Sequence, residues 1–327
     1  MIDRLAELLA SSGTAAQSER LFVGIGDDAA VWLEDGSALI ATTDTLVEGV
    51  HFIPGRTSWR DLGWKSLAVN VSDIAAMGGR PELALVTLAL RPDVDVEDLE
   101  ELYRGLAEAA ESLSIVIAGG DIVRAAEVAI SVTATGRAEV DGNGHPMLLR
   151  RNGAQAGDVV AVTGALGGAA GGLRVLRGDA GENAAARALL ERHFRPQPRV
   201  AVGLAAIAAG IRCGIDVSDG LMQDLGHVCQ SSRLGAVVWQ DKLPIEPALP
   251  ELFGEHDALV LAATGGEDYE LVLTGKQEQI DALASACDVP VTVVGEMVIA
   301  AEHVATLLDS GGRAVELPAP GWDHLRG

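Results

Sequence analysis

The chain has 327 residues, 48% of them hydrophobic, so it is long enough for two ordinary domains and apolar enough for a globular protein. Its 24 basic residues against 47 acidic ones give a formal net charge of −23. This balance excludes nucleic acid and anionic membranes as natural partners, because both require cationic neutralisation of phosphates. If the substrate is itself a phosphate, the positive charge must come largely from metal ions.

The first half alternates strands and helices. The first 13 residues are typical of an amphipathic helix and not of a signal peptide. Ser58 as an N-cap and Gly78-Gly79 as a stop predict a helix, and the apolar spacing predicts another over 95–113. Segments rich in β-branched residues predict strands at 37–47, 82–90, 114–121 and 128–140.

The second half begins after a stretch dense in Gly, Asn and Asp at 141–157, which predicts a boundary between domains 1–140 and 141–327. A strand, three helices to about 209, a strand and another helix come next. Further strands are expected near 268–274, 291–295, 304–309 and 313–317, the last two joined by a "DSGG" turn. The predicted fold class is α/β of the α+β type, with partly antiparallel sheets.

The stretch "GIGDDAAV" has the G-x-G-x-x-A spacing of a dinucleotide-binding loop in Gly24, Gly26 and Ala29. The next residues, "WLEDGSALIATTD", predict a strand hairpin and not a helix, so the helix dipole that would bind pyrophosphate is missing. We therefore expect a tight turn that directs Asp28 at a metal ion, with Asp27 as a further candidate.

Aspartates recur where apolar strands are expected to end. Any one of them is equally well a helix cap or a turn residue. Six in the same setting instead favour Mg²⁺, which binds hard oxygen ligands, and nearby hydroxyls of Thr42, Thr43, Ser72 and Ser218 can assist. The aspartates are Asp27-Asp28, Asp44, Asp121, Asp216 and Asp219, with Asp73 inside the first long helix.

No Walker A signature and no protein-kinase motif set occurs in the sequence, and only three lysines are present. The Gly-rich segment 163–173 opens a helix. Its backbone amides can contact phosphate, or its glycines can allow close packing of helix on sheet, and the sequence leaves both open.

Six segments together resemble the thiamine-monophosphate kinases, in the superfamily of aminoimidazole ribonucleotide synthetase and selenophosphate synthetase. They are "GIGDDAAV", "TTDTLVEGVHF", "KSLAVNVSDIAAMGGRP", "GGDIVR", "IDVSDGLMQDLGH" and "GGEDYEL". The resemblance implies a two-domain PurM-like fold of mixed sheets flanked by helices, and a homodimer whose N-terminal sheets pair across the two-fold. It also implies ATP-dependent phosphorylation of thiamine phosphate to thiamine diphosphate with Mg²⁺. Separately, the three cysteines are far apart and form no C-x-x-C pair, which predicts a reduced cytoplasmic protein.

Carried over position by position, the resemblance implies three groups of site residues. Magnesium ligands resemble Asp28, Thr42, Thr43, Asp44, Asp73, Asp121, Asp216 and Asp219. Nucleotide contacts resemble Tyr103, Gly120, Asp121, Arg151 and Ser218. Contacts to thiamine phosphate resemble His51, Glu267 and Trp322, whose alternative roles are a strand histidine, a solvent-facing carboxylate and packing of the terminus. After "GGD" the chain has Ile122-Val123 where the family often has threonine, so a hydroxyl contact there is in doubt.

The implied reaction agrees with the residues present. A phosphate monoester is already largely ionised near pH 7, since its second pKa is about 6, so no general base is required. The obstacle is repulsion between anions, about 4 kcal/mol for unit charges 4 Å apart at a dielectric of 20. The alternatives are a superfamily member with another acceptor, a non-catalytic nucleotide- or metal-binding protein, and a Mg²⁺-dependent phosphatase.

Overall fold

Two six-stranded mixed sheets form the framework of the computed structural model, which describes residues 20–322. In the first sheet the order is β1-β2-β3-β6-β4-β5, and of these strands only β4 and β5 run parallel. Its strands are β1 Leu21–Val23, β2 Ala30–Glu34, β3 Ser37–Val47, β4 Arg80–Leu90, β5 Val116–Arg124 and β6 Ala129–Ala138. Helices α1 (Trp59–Ala76) and α2 (Val96–Leu113) accompany it.

The second sheet has the order β12-β9-β11-β7-β10-β8, in which only β12 and β9 are parallel. Its strands are β7 Val159–Thr163, β8 Cys213–Asp216, β9 Gly235–Trp239, β10 Leu271–Gly275, β11 Val291–Val298 and β12 Ala305–Leu308. The helices are α3 Gly168–Arg177, α4 Ala184–Phe194, α5 Val200–Ala208, α6 Leu221–Ser232, α7 Ala248–Thr264 and α8 Gln277–Ala286. No helix in the described part of the chain is long and apolar enough to cross a membrane.

Helix α1 lies between the two halves. Ser58 caps it by accepting a hydrogen bond from the Asp61 amide. It packs on β3, β6 and α2 of the first half and on α5 and β8 of the second. Almost every face is buried, including those of Lys65, Asn70 and Ser72, so these polar groups must find partners inside the protein.

Most predicted elements are confirmed, including the strand over 37–47, the hairpin after the glycine loop and the two long helices. Strand β9 was not predicted. The expected strand at 313–317 was wrong: the Asp309 side chain accepts the amides of Gly311 and Arg313, and the turn leads only to a single bridge, Leu308 to Ala314. The predicted N-terminal helix lies outside the described residues.

Candidate active site

The glycine loop is a turn at the start of the β2–β3 hairpin. Gly26 has φ +117°, a conformation that side chains rarely adopt. The two aspartates after it are bound by arginines of the segment joining the halves: Arg150 Nε lies 3.4 Å from Asp27 Oδ2, and Arg151 Nε donates to Asp28 Oδ1 at 3.1 Å. The Asp28 carboxylate is only 1% exposed, and its Oδ2 is buried without a hydrogen-bond partner among the described residues.

Three elements bring further carboxylates to the boundary between the halves. The Thr42 hydroxyl on β3 donates to Asp73 on α1 at 2.5 Å, and the Ser72 hydroxyl on α1 donates to Asp216 at the end of β8 at 2.5 Å. The backbone amide of Asp44 donates to Asn70 Oδ1 at 2.9 Å, which fixes β3 against α1. We call Asp28, Asp44, Asp73 and Asp216 the aspartate cluster.

The members of the aspartate cluster repel one another. Burial, followed by the charge of Asp28, raises the pKa of Asp216 to about 7. Burial also raises the pKa of Asp28 to about 6, although Arg151 opposes the rise. The pKa of Asp73 is raised by burial and by the charges of Asp216, Asp44 and Asp28. Such a group of carboxylates attracts a cation.

The cluster fits magnesium chemically, because it offers only hard oxygen ligands and includes the buried Oδ2 of Asp28. Within residues 20–322, however, no three acidic, histidine or cysteine side chains converge on one point as a finished coordination shell. Bound phosphates and waters would therefore have to complete the coordination, as is usual for Mg²⁺.

Four of the predicted residues lie apart from this cluster. The side chain of Thr43 points to the opposite face of β3 from Thr42, and its hydroxyl donates to the Val132 carbonyl. Gly120 on β5 lies level with Asp44 on β3, but strands β6 and β4 lie between them. At about 4.8 Å per strand, the two residues are about 14 Å apart. Gly120 and Asp121 lie exposed on that edge strand, and Tyr103 lies exposed on α2.

The predicted strand-end position also needs correction for Asp44 and Asp121. Both lie inside strands that continue three residues further, because each strand is paired along its length by a neighbour. Only Asp216 ends its strand.

Ser218 and Asp219 lie in a loop whose backbone is fixed by hydrogen bonds to one buried side chain. Asp224 Oδ2 accepts the backbone amides of Ser218, Asp219 and Gly220, each at 3.0 Å. The amide of Trp322 donates to the Asp219 carbonyl at 2.9 Å, so the C-terminal segment lies against this loop. The Trp322 residue is 41% exposed.

Glu267 lies at the boundary between the halves, beside two residues that the sequence did not indicate. Its Oε1 is 2.7 Å from Lys65 Nζ, and its Oε2 is 3.4 Å from His193 Nδ1. Burial raises the pKa of Glu267, but the charge and hydrogen bond of Lys65 together with the charges of His193 and His51 outweigh it, so the net pKa is below its usual value. His51 also acts on this pKa, and its Nδ1 accepts the Val47 amide at 3.1 Å.

Burial lowers the pKa of His193 to about 3, so this histidine is neutral near pH 7. The sequence did contain an indication that Lys65 is special, because it lies within an apolar helix of a chain with only three lysines. Its partner could not be read from the sequence, because Glu267 is about 200 residues away.

The Gly-rich segment is used internally. The Asp268 carboxylate accepts the amides of Gly167 at 2.5 Å and Ala169 at 3.0 Å, so a protein carboxylate already caps the N-terminus of α3. A Cβ on Gly172 would lie 2.2 Å from the Leu189 carbonyl of α4. The glycines thus allow close packing, but of helix on helix and not of helix on sheet as the sequence suggested.

Two family profiles match the chain in order. "AIR synthase related protein, N-terminal domain" matches residues 26–138, and "AIR synthase related protein, C-terminal domain" matches residues 155–307.

Among curated proteins, the chain is 38% identical over 329 residues to the thiamine-monophosphate kinase of Escherichia coli K12, covering 97% of each chain. It is 38% identical over 300 residues to that of Rhodopirellula baltica, covering 88% of this chain and 86% of the relative. Among solved structures, one described as "AaThiL complexed with AMPPCP and TMP" superposes with a TM-score of 0.83 at 32% identity, covering 97% of this chain and 96% of the other.

Proposed function

This chain belongs to the AIR synthase related family and, within it, to the thiamine-monophosphate kinases, and from that premise we propose which of its residues carry the reaction. The protein transfers phosphate from ATP to thiamine phosphate, giving thiamine diphosphate. What remains is to assign the metal, the nucleotide and the acceptor to its parts.

We propose that Mg²⁺ is held by the aspartate cluster together with Asp219 and the Thr42 hydroxyl. The raised pKa values of Asp28, Asp73 and Asp216 support this assignment, because they mark a group whose negative charge Arg151 offsets only in part. Asp121 and Thr43 are left out, since one lies on the far edge strand and the other faces away. Mg²⁺ held by these residues would neutralise the ATP phosphates and would stabilise charge on the transferring phosphoryl group.

The chain's own residues hold the reactants and do not move protons. The acceptor phosphate is ionised near pH 7, since its second pKa is about 6, and needs no general base. Arg151 and Ser218 flank the cluster and contact the ATP phosphates, with the Arg151 guanidinium turning from Asp28 to phosphate oxygens. Gly120 and Tyr103 remain candidates for the distant part of the nucleotide.

The acceptor binds on the other side of the Ser218 loop. The Glu267 amide donates to the Ser218 carbonyl at 2.8 Å, so the loop of Glu267 adjoins the loop that contacts ATP. The ionised Glu267 faces the cationic thiazolium or amino group of thiamine, His51 stands beside it, and Trp322 supplies an aromatic surface for stacking.

A second copy of this chain is the proposed partner, paired through the first sheets. Strand β5 is an edge strand, and it and its neighbour β4 carry several exposed apolar residues. The exposed residues are Leu83, Leu85, Val116, Ile122 and Val123. Sedimentation should give the mass of two chains, and Leu85→Asp should lower it to one; an unchanged mass would contradict this interface.

We keep two further expectations as proposals. The division into domains 1–140 and 141–327 is supported by the gap between the two matched family segments. A reducing, cytoplasmic location is supported by Cys213 and Cys229, both buried as free thiols.

A single assay tests the reaction and its dependence on Mg²⁺. The purified protein is freed of divalent ions with EDTA, given ATP and thiamine phosphate, and titrated with MgCl₂ while ADP and thiamine diphosphate are both measured. Equal amounts of the two products, strictly dependent on Mg²⁺, are expected. ADP without thiamine diphosphate would indicate a phosphatase, and turnover in EDTA would remove the metal from the mechanism. Thiamine in place of its phosphate serves as the matched control and should give no product.

A further inference from the structure

Lys65 is a buried cation that links the two halves of the molecule. Its side chain is 2% exposed, in the middle of α1, and its Nζ forms an ion pair with Glu267 Oε1 at 2.7 Å. Helix α1 belongs to the first half, and Glu267 lies in the loop between α7 and β10 of the second. The ion pair therefore fixes the position of the Glu267 loop relative to the aspartates of α1.

The loop of Glu267 is held in an unusual backbone conformation. Glu267 has φ +70° and Tyr269 has φ +52°, and neither is a glycine. The amides of these two residues donate to the carbonyls of Ser218 and Val217. The backbone thus fixes the base of Glu267, while its side chain remains 24% exposed toward the boundary between the halves.

An ion pair with a purely structural role would add little to the stability of the protein at this position. Burying a lysine and a glutamate removes both from water, and a well-packed hydrophobic pair often stabilises a protein equally well. The Glu267 carboxylate is held on one oxygen by Lys65, has His193 3.4 Å from the other oxygen and is still partly exposed, so it has a defined direction toward a ligand. We therefore infer that the charge of Lys65 orients the Glu267 carboxylate.

We propose that Lys65 is a positioning residue for thiamine phosphate: it holds the Glu267 carboxylate, ionised and in one rotamer, against the acceptor. This inference rests on the proposed role of Glu267 in binding the acceptor. Lys65 itself does not contact the substrate, because its side chain is only 2% exposed.

The test compares Lys65→Met, Glu267→Gln and the double variant by steady-state kinetics with each substrate varied in turn. Lys65→Met should raise KM for thiamine phosphate about tenfold or more, while KM for ATP and kcat change less than about threefold. Glu267→Gln should raise the same KM. The double variant should be no worse than Glu267→Gln alone, because Lys65 acts only through Glu267.

Asp61→Asn provides the matched control. Asp61 lies on the same helix and pairs with Arg195 of the second half at 2.7 Å, so the variant also breaks an ion pair between the halves. It should lower the melting temperature and leave KM for thiamine phosphate unchanged. If Lys65→Met behaves like this control while Glu267→Gln raises KM, the inference is overturned.

The remaining outcomes are also decisive. If Glu267→Gln leaves KM unchanged, the proposed role of Glu267 fails and this inference fails with it, although the kinase activity stands. If Lys65→Met does not fold, the double variant still decides, because it leaves no unpaired buried carboxylate. A KM for the double variant tenfold above that of Glu267→Gln would overturn the proposal.

Discussion

Buried carboxylates in this protein are stabilised in two different ways in two regions. In the second half, Asp224 receives three backbone amides and Asp268 receives two, so each is satisfied by nearby loops and helix ends. At the boundary between the halves, Asp73 and Asp216 each receive one hydroxyl, from Thr42 and Ser72, and face other carboxylates. The first kind completes the fold, whereas under the proposed metal assignment the second kind would be stabilised by a bound cation.

The two kinds of carboxylate should therefore differ in what their removal affects, protein stability or enzymatic activity. A carboxylate that satisfies backbone amides should be costly to remove from the fold and should have little effect on the response to magnesium. A carboxylate of the aspartate cluster should show the reverse. Single substitutions can test each side of this difference.

The largest effect is expected from Asp216→Asn. Losing one charge that holds the metal should lower kcat by about 100-fold or more, as removal of a preorganised electrostatic group does elsewhere. Stability in EDTA should not fall and should rise slightly at pH 8, because the pKa of Asp216 is raised to about 7 and its charge is unfavourable in the folded state.

Asp158→Asn is the matched control for that variant. Asp158 is also buried, but its carboxylate accepts only the nearby Gln155 amide at 2.8 Å, outside the cluster. Its kcat should be unchanged. Equal loss of activity in both variants, or a large loss of stability in Asp216→Asn, would remove the distinction between the two kinds of carboxylate.

A smaller effect, on stability alone, is expected from Asp268→Ala. The amides of Gly167 and Ala169 are buried, and without an acceptor they should together cost about 2–4 kcal/mol of unfolding free energy in urea. Asp268→Asn keeps an acceptor oxygen for only one of the two amides and should lose about half as much, about 1–2 kcal/mol. The Mg²⁺ concentration for half-maximal activity should be the same in both. A shifted Mg²⁺ requirement without lost stability would place Asp268 with the cluster.

The sequence predicted the elements better than the contacts. The β2–β3 hairpin and α1 result from local patterns, namely alternation around "LEDG" and a Ser58 cap with a glycine stop. The strand alternation that separates Thr42 from Thr43 was also readable, yet the resemblance carried both over as ligands. Strand β9 lacks polar alternation because it is covered on both faces, and it was therefore missed.

The site was only partly predictable, for a physical reason. Acidic residues beside hydroxyls suggested a metal from the sequence alone, and their order identified the family. The partners of Asp268 and Glu267 are about 100 and 200 residues distant, and no local pattern reports such pairs. Which aspartate is a cap and which is a ligand is therefore decided by tertiary contacts.

The smallest effect concerns pH, in the window from 6.5 to 8. Asp216 has a pKa of about 7 in the folded protein against 3.8 ordinarily, so its contribution to stability is present at low pH and is lost as pH rises through 7. Asp268, with a pKa also of about 7, acts in the same direction. Buried His193 has a lowered pKa and opposes them only below about 6.5, where unfolded histidine titrates.

In EDTA the unfolding free energy should therefore fall by about 1–2 kcal/mol between pH 6.5 and 8. Mg²⁺ should cancel the part of this fall that comes from Asp216, because the metal stabilises the ionised cluster. The part that comes from Asp268 should remain, since its carboxylate already accepts backbone amides. Urea unfolding across this window, with and without Mg²⁺, measures both shares. Identical slopes in the two conditions would mean that the cluster does not bind the metal in the absence of ATP, and the contrast between the two regions would then hold only for the nucleotide-bound protein.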